Sequence, residues 1–459
     1  MQVLSKLTSV PITCKEYVHP WTDSCGIASA EFLIVAVQDS FRIYSAVYML
    51  SLAMRGRIPS LGELKRTIRG LIQSTAFLTM SAFSYSVFLC ALRRLFGSYN
   101  FYTASYIPAY IAAFCSILVE RPSRRGLLCL YVSNVATETG WNMLKARGLA
   151  RSVPYGEILI FGLSTSILLY YYRLNRQKDY KDSMFDVFRF ALGDSEVMKQ
   201  NEDVAAESRR ESRGRERCRR SATSYRLIQL VVRAYLNVIS RIKSLKKHEL
   251  CRHKHSCLYN TLSGGARMFS IGLGIQVIMK VLFQARRIIR RPALLKRAFL
   301  SKEILKLGMF LGGFTSLYKL SSCLLRHMTN SDKAIYAIPS GLIASVAFGY
   351  YADTTIALYI MWKMLQMTYN WGIEKGYVPK IPGFTMLLYS ASTALLFHAA
   401  TLEPLALRPS YWKFLYSISG GRIMVMDRNG FDVYGLGTSG QISATSKLCN
   451  TPPVLKFQI

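Results

Sequence analysis

A strip of alternating cysteine and histidine residues between positions 248 and 257 carries the side chains that bind transition metals best. It consists of His248, Cys251, His253, His255 and Cys257. Thiolates and imidazoles are the usual ligands of zinc, but this spacing fits no standard zinc knuckle, and a solvated face of a basic segment is the alternative interpretation. Cys14, His19 and Cys25 form another, looser group of such residues near the N-terminus. Metal binding by the strip is therefore a hypothesis, and the sequence predicts no cofactor.

An acidic side chain, Glu138, lies in the middle of an apolar run at residues 126–144. A carboxylate inside a membrane is costly, so it is a candidate for a functional role. The alternative is a structural hydrogen bond to a neighbouring helix, through Thr137 or Thr139. Because no nucleophile and base can be paired and no nucleotide-binding motif has a supporting strand and helix, the sequence predicts no enzymatic activity.

Apolar runs of about 20 residues, the length that crosses a bilayer as a helix, must position these side chains. They form two sets, at residues 71–92, 101–119, 126–144 and 154–172, and at residues 304–325, 334–352, 354–371 and 383–402. Two weaker runs, 31–54 and 266–284, contain charges and are expected to form amphipathic helices at the membrane interface. The predicted fold is all-α, a multi-pass transmembrane helical bundle.

The two sets of runs repeat one another. One constant offset in numbering aligns Tyr85 with Tyr318 and Cys90 with Cys323, and the offset becomes slightly smaller towards the end of each set. The pattern predicts two duplicated halves of about four spans each. The expected segments are an N-terminal cysteine-containing segment with an interfacial helix (1–70), a first repeat (71–172), a basic linker (173–263), a second repeat (264–403) and a C-terminal tail (404–459).

Basic residues are in large excess, with 59 Lys and Arg against 26 Asp and Glu and a net charge of +33. Since hydrophobic residues make up 51% of the chain, the charge does not indicate a disordered basic tail or a nucleic-acid-binding domain. Cations in loops instead indicate membrane topology, and they favour four spans per half, with both termini on one side, over five per half.

The linker is expected to be partly disordered, with an amphipathic helix over residues 225–247 that suits an anionic membrane surface or packs on the protein. A cluster of arginines in the linker is a candidate lipid-binding surface. It consists of Arg209, Arg210, Arg213, Arg215, Arg217, Arg219 and Arg220.

Small residues at four-residue spacing predict close helix packing in the second half. Gly308 and Gly312 form one such step, and Gly341, Ser345 and Gly349 form another. Such stripes allow two helix backbones to approach each other. Packing inside the bundle is the simpler interpretation, and a face between two copies of the chain is the alternative.

Four segments resemble one family, the transmembrane protein 135 family, also called peroxisomal membrane protein 52. They are TCKEYVHPWTDSC (13–25), ERPSRRGLLCLYVSNVATETGW (120–141), FLGGFTSLYKLSSCLLR (310–326) and LRPSYWKFL (407–415). The resemblance implies a multi-pass protein of mitochondrial and peroxisomal membranes. It also implies roles in mitochondrial division and in the handling of cholesterol and fatty acids. The second half is distantly similar to translocase subunits of the Tim17 type.

Two functions follow as hypotheses. The first is a non-enzymatic membrane factor that regulates mitochondrial division and lipid metabolism, with anionic lipids and cytosolic membrane-remodelling proteins as partners. The second is a transporter or lipid conduit between the two repeats, with Glu138 lining the path. No nucleic-acid partner is expected, and a homo-oligomer is possible.

Overall fold

The computed structural model describes residues 8–53, 59–174, 182–193, 196–197, 237–245, 247–290 and 302–453. Within these ranges the secondary structure is helical and contains no β-strand, apart from one isolated bridge between Val10 and Tyr99, which confirms the all-α prediction. In chain order the helices are α1 (Cys14–Tyr17), α2 (Cys25–Ala53), α3 (Leu61–Phe96), α4 (Tyr106–Val119), α5 (Pro122–Ala146), α6 (Gly156–Arg173), α7 (Ser183–Leu192), α8 (Cys257–Arg290), α9 (Lys302–Thr329), α10 (Ala337–Ser345), α11 (Thr354–Glu374), α12 (Phe384–Leu402), α13 (Pro409–Ile418) and α14 (Thr438–Cys449).

Local side chains set the two ends of the long helix α3. The hydroxyl of Ser60 accepts a hydrogen bond from the Glu63 amide at 3.3 Å, and the Glu63 carboxylate accepts one from the Ser60 amide at 3.2 Å. This capping box satisfies amides that have no partner within the helix. At the other end Gly97 adopts a left-handed conformation, with φ of 71°, and its amide donates to the Arg93 carbonyl at 2.9 Å. The sequence therefore encodes both ends of the helix locally.

Five of the helices in the described part of the chain are long and apolar enough to cross a membrane. They are Cys25–Ala53, Leu61–Phe96, Cys257–Leu282, Ala334–Tyr351 and Phe384–Leu402. The fourth combines α10 with the short 3₁₀ helices Ala334–Tyr336 and Val346–Tyr351 on either side of it. The helix α4 is apolar but has 14 residues. These lengths and compositions are those of an integral membrane protein.

The weaker apolar runs differ from the expected interfacial helices. They form α2 and α8, each of which contains a segment long and apolar enough to span a membrane. Charges that argue against a span have partners: Glu31 accepts from Trp21 Nε1 at 2.8 Å and pairs with Arg422 at 3.2 Å. The Asp39 carboxylate accepts from the Ser417 hydroxyl at 2.8 Å. Paired groups cost much less to bury than isolated charges, and the sequence alone does not reveal the pairing.

One compact unit, called unit 1, comprises Met1–Ser152 and Tyr369–Ile459. In it α2 packs on α3, α3 packs on α4, and α12 packs on both α4 and α5. Its main core contains Phe77, Leu396 and Trp412, and the fully buried Trp412 indole donates to the Thr451 hydroxyl at 3.0 Å. The C-terminal helices α13 and α14 pack on each other beside this core.

The other unit, called unit 2, comprises Val153–Thr368. Helix α8 packs along α9, and α10 packs on both α6 and α9. Its core is aromatic: the Phe161 ring stacks on Phe348 with 4.1 Å between ring centroids, and Phe310 meets both rings edge-on. Each unit thus joins helices from both sides of the linker, since α12 lies in unit 1 and α6 lies in unit 2.

Candidate metal centres

The first cluster lies in unit 1, where the N-terminal segment meets the hairpin of α2 and α3. Cys14 and Cys25 are the first residues of α1 and α2, and Cys90 lies in the last two turns of α3. His19 lies in the loop between α1 and α2. One ligand atom from each of these four residues lies within 4.8 Å of every other. Side chains from a loop and from three helices therefore converge on one point.

The N-terminal segment that carries Cys14 is anchored by contacts of its own. Thr13 and Glu16 form a capping box around α1. The fully buried Tyr17 donates its hydroxyl hydrogen to the Ala104 carbonyl at 2.8 Å. These contacts hold the Cys14 thiol in place without help from the cluster itself.

Only one of the two ring nitrogens of His19 makes a hydrogen bond to a described residue. Its Nδ1 lies 2.8 Å from the Thr22 carbonyl oxygen. Because a carbonyl can only accept, Nδ1 carries the proton and Nε2 carries the lone pair. The side chain is fully buried, and Nε2 has no hydrogen-bond partner among the described residues. The first cluster therefore contains a buried nitrogen, His19 Nε2, whose lone pair has no hydrogen bond in the described part of the chain.

The second cluster lies in unit 2 and has the same kinds of side chain. Cys251 and His253 precede α8, Cys257 is the first residue of α8, and Cys323 lies in the last two turns of α9. The Sγ atoms of Cys251 and Cys257 are 3.7 Å apart, and Cys323 Sγ lies 3.6 Å from His253 Nε2. All four ligand atoms again lie within 4.8 Å of one another.

His253 is oriented in the same way as His19. Its Nδ1 lies 2.5 Å from the His255 carbonyl oxygen, so Nδ1 donates and Nε2 carries the lone pair. The side chain is buried, with 5% of its surface exposed. In both clusters the carbonyl of a residue two or three positions later in the chain accepts from Nδ1 and orients the ring, so Nε2 is the ligand atom beside the cysteines. Metal-binding histidines are usually oriented by such a hydrogen bond.

Electrostatics favour the thiolate form of one cysteine in each cluster. A hydrogen bond from Cys90 lowers the pKa of Cys14 to about 5, although burial opposes the shift. A hydrogen bond from Cys323 lowers the pKa of Cys251 to about 3, again against burial. The thiolate is the form that binds metals, so each cluster contains a cysteine prepared as a ligand.

The structure divides the cysteine–histidine strip predicted from the sequence. It brings Cys251, His253 and Cys257 together, but His248 and His255 are not members of the four-residue cluster. The His248 ring packs edge-on against His327, and the His255 ring packs edge-on against Tyr259.

Sequence reasoning did not identify the fourth residue of either cluster, Cys90 or Cys323. Both lie in apolar runs, where a cysteine usually behaves as a small hydrophobic residue. A signal was present in the sequence, because the numbering offset that predicts a duplication aligns these two cysteines with each other. The alignment of these two cysteines at the predicted offset indicates the fourth residue of each cluster better than the local spacing of the strip does.

The intramembrane candidate Glu138 lies in unit 1 in an ion pair. Its carboxylate binds the guanidinium of Arg408, the residue that precedes α13, and Arg408 also donates to the Asn134 side chain at 3.4 Å. The Thr137 hydroxyl donates to a backbone carbonyl of its own helix, and the Thr139 hydroxyl is buried without a partner among the described residues. The arrangement is that of a structural link between α5 and the start of α13.

The predicted glycine step of α9 faces α8 within unit 2. A Cβ atom added at Gly308 would lie 3.1 Å from the Phe269 carbonyl oxygen, and one added at Gly312 would lie 2.9 Å from the Gly265 carbonyl oxygen. A side chain at either position would meet the backbone of the facing helix, so the absence of a Cβ allows the two helices their close approach.

The second small-residue stripe, on α10 and the turn that follows it, faces α6. A Cβ at Gly341 would lie 2.9 Å from the Ser166 Cα, and Ser345 occupies the space beside Gly162. Gly349 is less tightly packed, with its nearest neighbour, the Ile158 side chain, at 3.4 Å. Both stripes thus lie inside one unit.

The arginine cluster of the linker lies outside the described residues. This applies to Arg209, Arg210, Arg213, Arg215, Arg217, Arg219 and Arg220. Of the amphipathic helix expected over residues 225–247, the described part is helical over residues 237–244.

Comparison with known proteins bears on the N-terminal third of the chain. Residues 11–144 match the family model described as the N-terminal cysteine-rich region of Transmembrane protein 135. The match includes Cys14, His19, Cys25 and Cys90, the whole of the first cluster. No solved structure matches the chain. This similarity over residues 11–144 supports the family that the sequence resembles. Together with the apolar helices, it indicates that the chain is a membrane protein, similar over residues 11–144 to the cysteine-rich region of Transmembrane protein 135.

Proposed function

We propose that this chain is a non-enzymatic integral membrane protein of mitochondria and peroxisomes that promotes mitochondrial division and regulates the handling of cholesterol and fatty acids. The observation that carries the proposal is the family match over residues 11–144. Helices that are long and apolar enough to cross a membrane support it, because they would hold the chain in an organelle membrane. The exposed apolar surface of α2 suits a lipid environment: Phe41 is 51% exposed and Met49 is 65% exposed.

The polar groups inside the units support a structural rather than a catalytic role. Glu138 pairs with Arg408, and Glu403 pairs with Arg147. Carboxylates that are neutralised by guanidinium groups are poorly suited to act as general bases at neutral pH. The clusters of cysteine and histidine would surround a metal ion with four protein ligands, which leaves no open position for a substrate.

The pairing of Glu138 also argues against a transporter or lipid conduit. A carboxylate that lines a path for substrates needs to face water or the substrate. Here the Arg408 guanidinium occupies it. The regulatory role is therefore preferred, and a vesicle flux assay distinguishes the two: flux that is abolished in Glu138→Gln would favour the conduit.

The two halves of the chain are proposed to be duplicates. In support, α2 and α8 each begin with a cysteine, and α3 and α9 each carry a cysteine in their last two turns. The distant similarity of the second half to Tim17-type translocase subunits belongs to the same proposal. In this arrangement the last helix of each repeat, α6 or α12, packs in the unit that contains most of the other repeat.

The proposed partners are anionic membrane lipids and cytosolic membrane-remodelling proteins, with no role for nucleic acid. The seven linker arginines between 209 and 220 would bind the lipid surface. Replacing all seven with glutamine should weaken binding to anionic liposomes, and replacing them with lysine should preserve it. Equal binding by the two variants would contradict a charge-driven contact. A homo-oligomer is proposed as well, and mass measurement of the detergent-solubilised protein tests it.

The regulatory role is tested by deleting the chain and measuring mitochondrial length by microscopy. Less frequent division should give longer mitochondria, and expression of the wild-type chain should restore their length. The same cells, with the tagged protein imaged beside mitochondrial and peroxisomal markers, test the location. Unchanged mitochondrial length after deletion would contradict the proposal.

A further inference from the structure

We propose that the two clusters are zinc sites, each with three cysteine thiolates and one histidine Nε2 around a single Zn²⁺ ion. The ligands are Cys14, His19, Cys25 and Cys90 in unit 1, and Cys251, His253, Cys257 and Cys323 in unit 2. The proposal is independent of the regulatory role, since it concerns the chemistry of these side chains alone.

Two distances between ligand atoms in unit 2 match those of a tetrahedral zinc site. Zinc–sulfur bonds of about 2.3 Å and zinc–nitrogen bonds of about 2.0–2.1 Å, at tetrahedral angles, place two sulfurs about 3.8 Å apart and a sulfur and a nitrogen about 3.6 Å apart. The Sγ atoms of Cys251 and Cys257 are 3.7 Å apart, and Cys323 Sγ lies 3.6 Å from His253 Nε2. A disulfide would need about 2.05 Å between sulfurs, and all three cysteines of this cluster are free.

The histidines supply the second argument. Both carry the lone pair on Nε2, because their Nδ1 atoms donate to backbone carbonyls. The buried Nε2 of His19 has no hydrogen-bond partner in the described part of the chain. A buried polar atom without a partner is unfavourable, because it has lost its hydrogen bond to water and gained none. A bond to a metal ion removes that cost and explains why the ring is held in this orientation.

The donor set favours zinc over the cations that prefer oxygen ligands. Three soft thiolates and an imidazole whose ligand atoms lie within 4.8 Å of one another favour Zn²⁺ over Mg²⁺ and Ca²⁺, which prefer oxygen ligands. Four protein ligands leave no position for water, so the sites are structural rather than catalytic.

The recurrence of the arrangement is the third argument. The spacing before the helix-initiating cysteine differs between the clusters: Cys14, His19 and Cys25 are more widely separated along the chain than Cys251, His253 and Cys257. The order of ligands and their places on the long helices are nevertheless the same. Two loops of different length bring the same four donors together, and coordination of the same metal ion would require this.

Each zinc ion would fasten a loop to one end of a helical hairpin. In unit 1 it would tie the N-terminal segment to the start of α2 and to the end of α3, and in unit 2 it would tie residues 251–253 to the start of α8 and the end of α9. Because the ligands come from segments far apart in sequence, the ion closes long loops, and its binding energy adds to the stability of the folded unit.

The test is the metal content of the full-length protein, purified in detergent without chelators and measured by inductively coupled plasma mass spectrometry. One ion per cluster gives two zinc ions per chain. Cys90→Ser and Cys323→Ser should each lower the content to one, and the double variant should contain none. Cys129→Ser, which removes another buried helix cysteine outside the clusters, should keep both ions.

A conservative variant keeps the test decisive if a serine variant fails to fold. His19→Cys converts the first site to four cysteines, a set that also binds zinc, and should retain two ions, whereas His19→Phe should retain one. The proposal is overturned by a folded wild-type protein that contains no zinc or contains iron instead. It is equally overturned by a zinc content that stays the same in both single serine variants.

Discussion

Helices α8 and α9 approach each other so closely at Gly272 that a single added methyl group there should destabilise the protein. A Cβ atom there would lie 2.8 Å from the Gly308 Cα and 2.9 Å from the Leu307 carbonyl oxygen, and both are backbone atoms that cannot rotate away. Ordinary van der Waals contact begins at 3.4 Å, so restoring ordinary contact in Gly272→Ala requires the helices to separate by about 3.4 − 2.8 = 0.6 Å. Overpacking of this kind costs about 1–3 kcal/mol.

Gly274 provides the matched control on the same helix. A Cβ there would have no atom within 4 Å among the residues that the structure describes. Both substitutions gain the same helix propensity of about 0.5–1 kcal/mol, so the difference between Gly272→Ala and Gly274→Ala isolates the packing. We expect Gly272→Ala to be less stable than Gly274→Ala by about 1–3 kcal/mol.

Stability is measured by titrating the purified protein in mixed micelles with sodium dodecyl sulfate and following the loss of helical circular dichroism and of tryptophan fluorescence. Gly274→Ala should unfold at the wild-type concentration of denaturing detergent or slightly above it, and Gly272→Ala should unfold clearly below it. Equal midpoints for the two variants would refute the close contact between α8 and α9.

Three further predictions concern charges and metal. Glu196→Ala removes one of the two carboxylate partners of the buried Arg326, at 2.6 Å, and leaves Asp332 at 3.0 Å. It should lower the free energy of unfolding by about 1–3 kcal/mol in the same titration, and an unchanged midpoint would contradict the buried pair. Glu138→Gln should cost about 1 kcal/mol, because its ion pair is partly exposed, and should leave lipid flux in reconstituted vesicles the same as for the wild type. A zinc chelator should lower the thermal midpoint of the wild-type protein and leave that of the Cys90→Ser, Cys323→Ser double variant unchanged, as measured by scanning fluorimetry; an equal shift in both would count against the sites.

The helical class and the positions of many apolar segments could be predicted from the sequence because both depend on local properties. Hydropathy over about 20 residues and capping residues such as Ser60 and Gly97 act within one helix. The interfacial position expected for residues 31–54 depended instead on distant partners. Glu31 reads as an unpaired charge until the fold brings Arg422, from the C-terminal part of the chain, to within 3.2 Å.

The candidate metal centres show the same limit. The strip from His248 to Cys257 is visible in the sequence, and three of its residues belong to the second cluster. The fourth residue of that cluster, Cys323, lies on α9, the helix that follows α8 in the chain. Local spacing therefore fails to fit a zinc motif, although Cys251, His253 and Cys257 all take part. The predicted duplication supplies the missing information, because its numbering offset aligns Cys90 with Cys323.

The most direct test of the two zinc sites is X-ray absorption at the zinc edge of the purified full-length protein. Two sites of this kind should give an average first shell of three sulfurs at about 2.3 Å and one nitrogen at about 2.0–2.1 Å, with no oxygen ligand. Because both clusters have the same donors, the spectrum of Cys90→Ser should keep this shell with half the zinc per chain. A first shell of oxygen and nitrogen without sulfur would rule out both zinc sites.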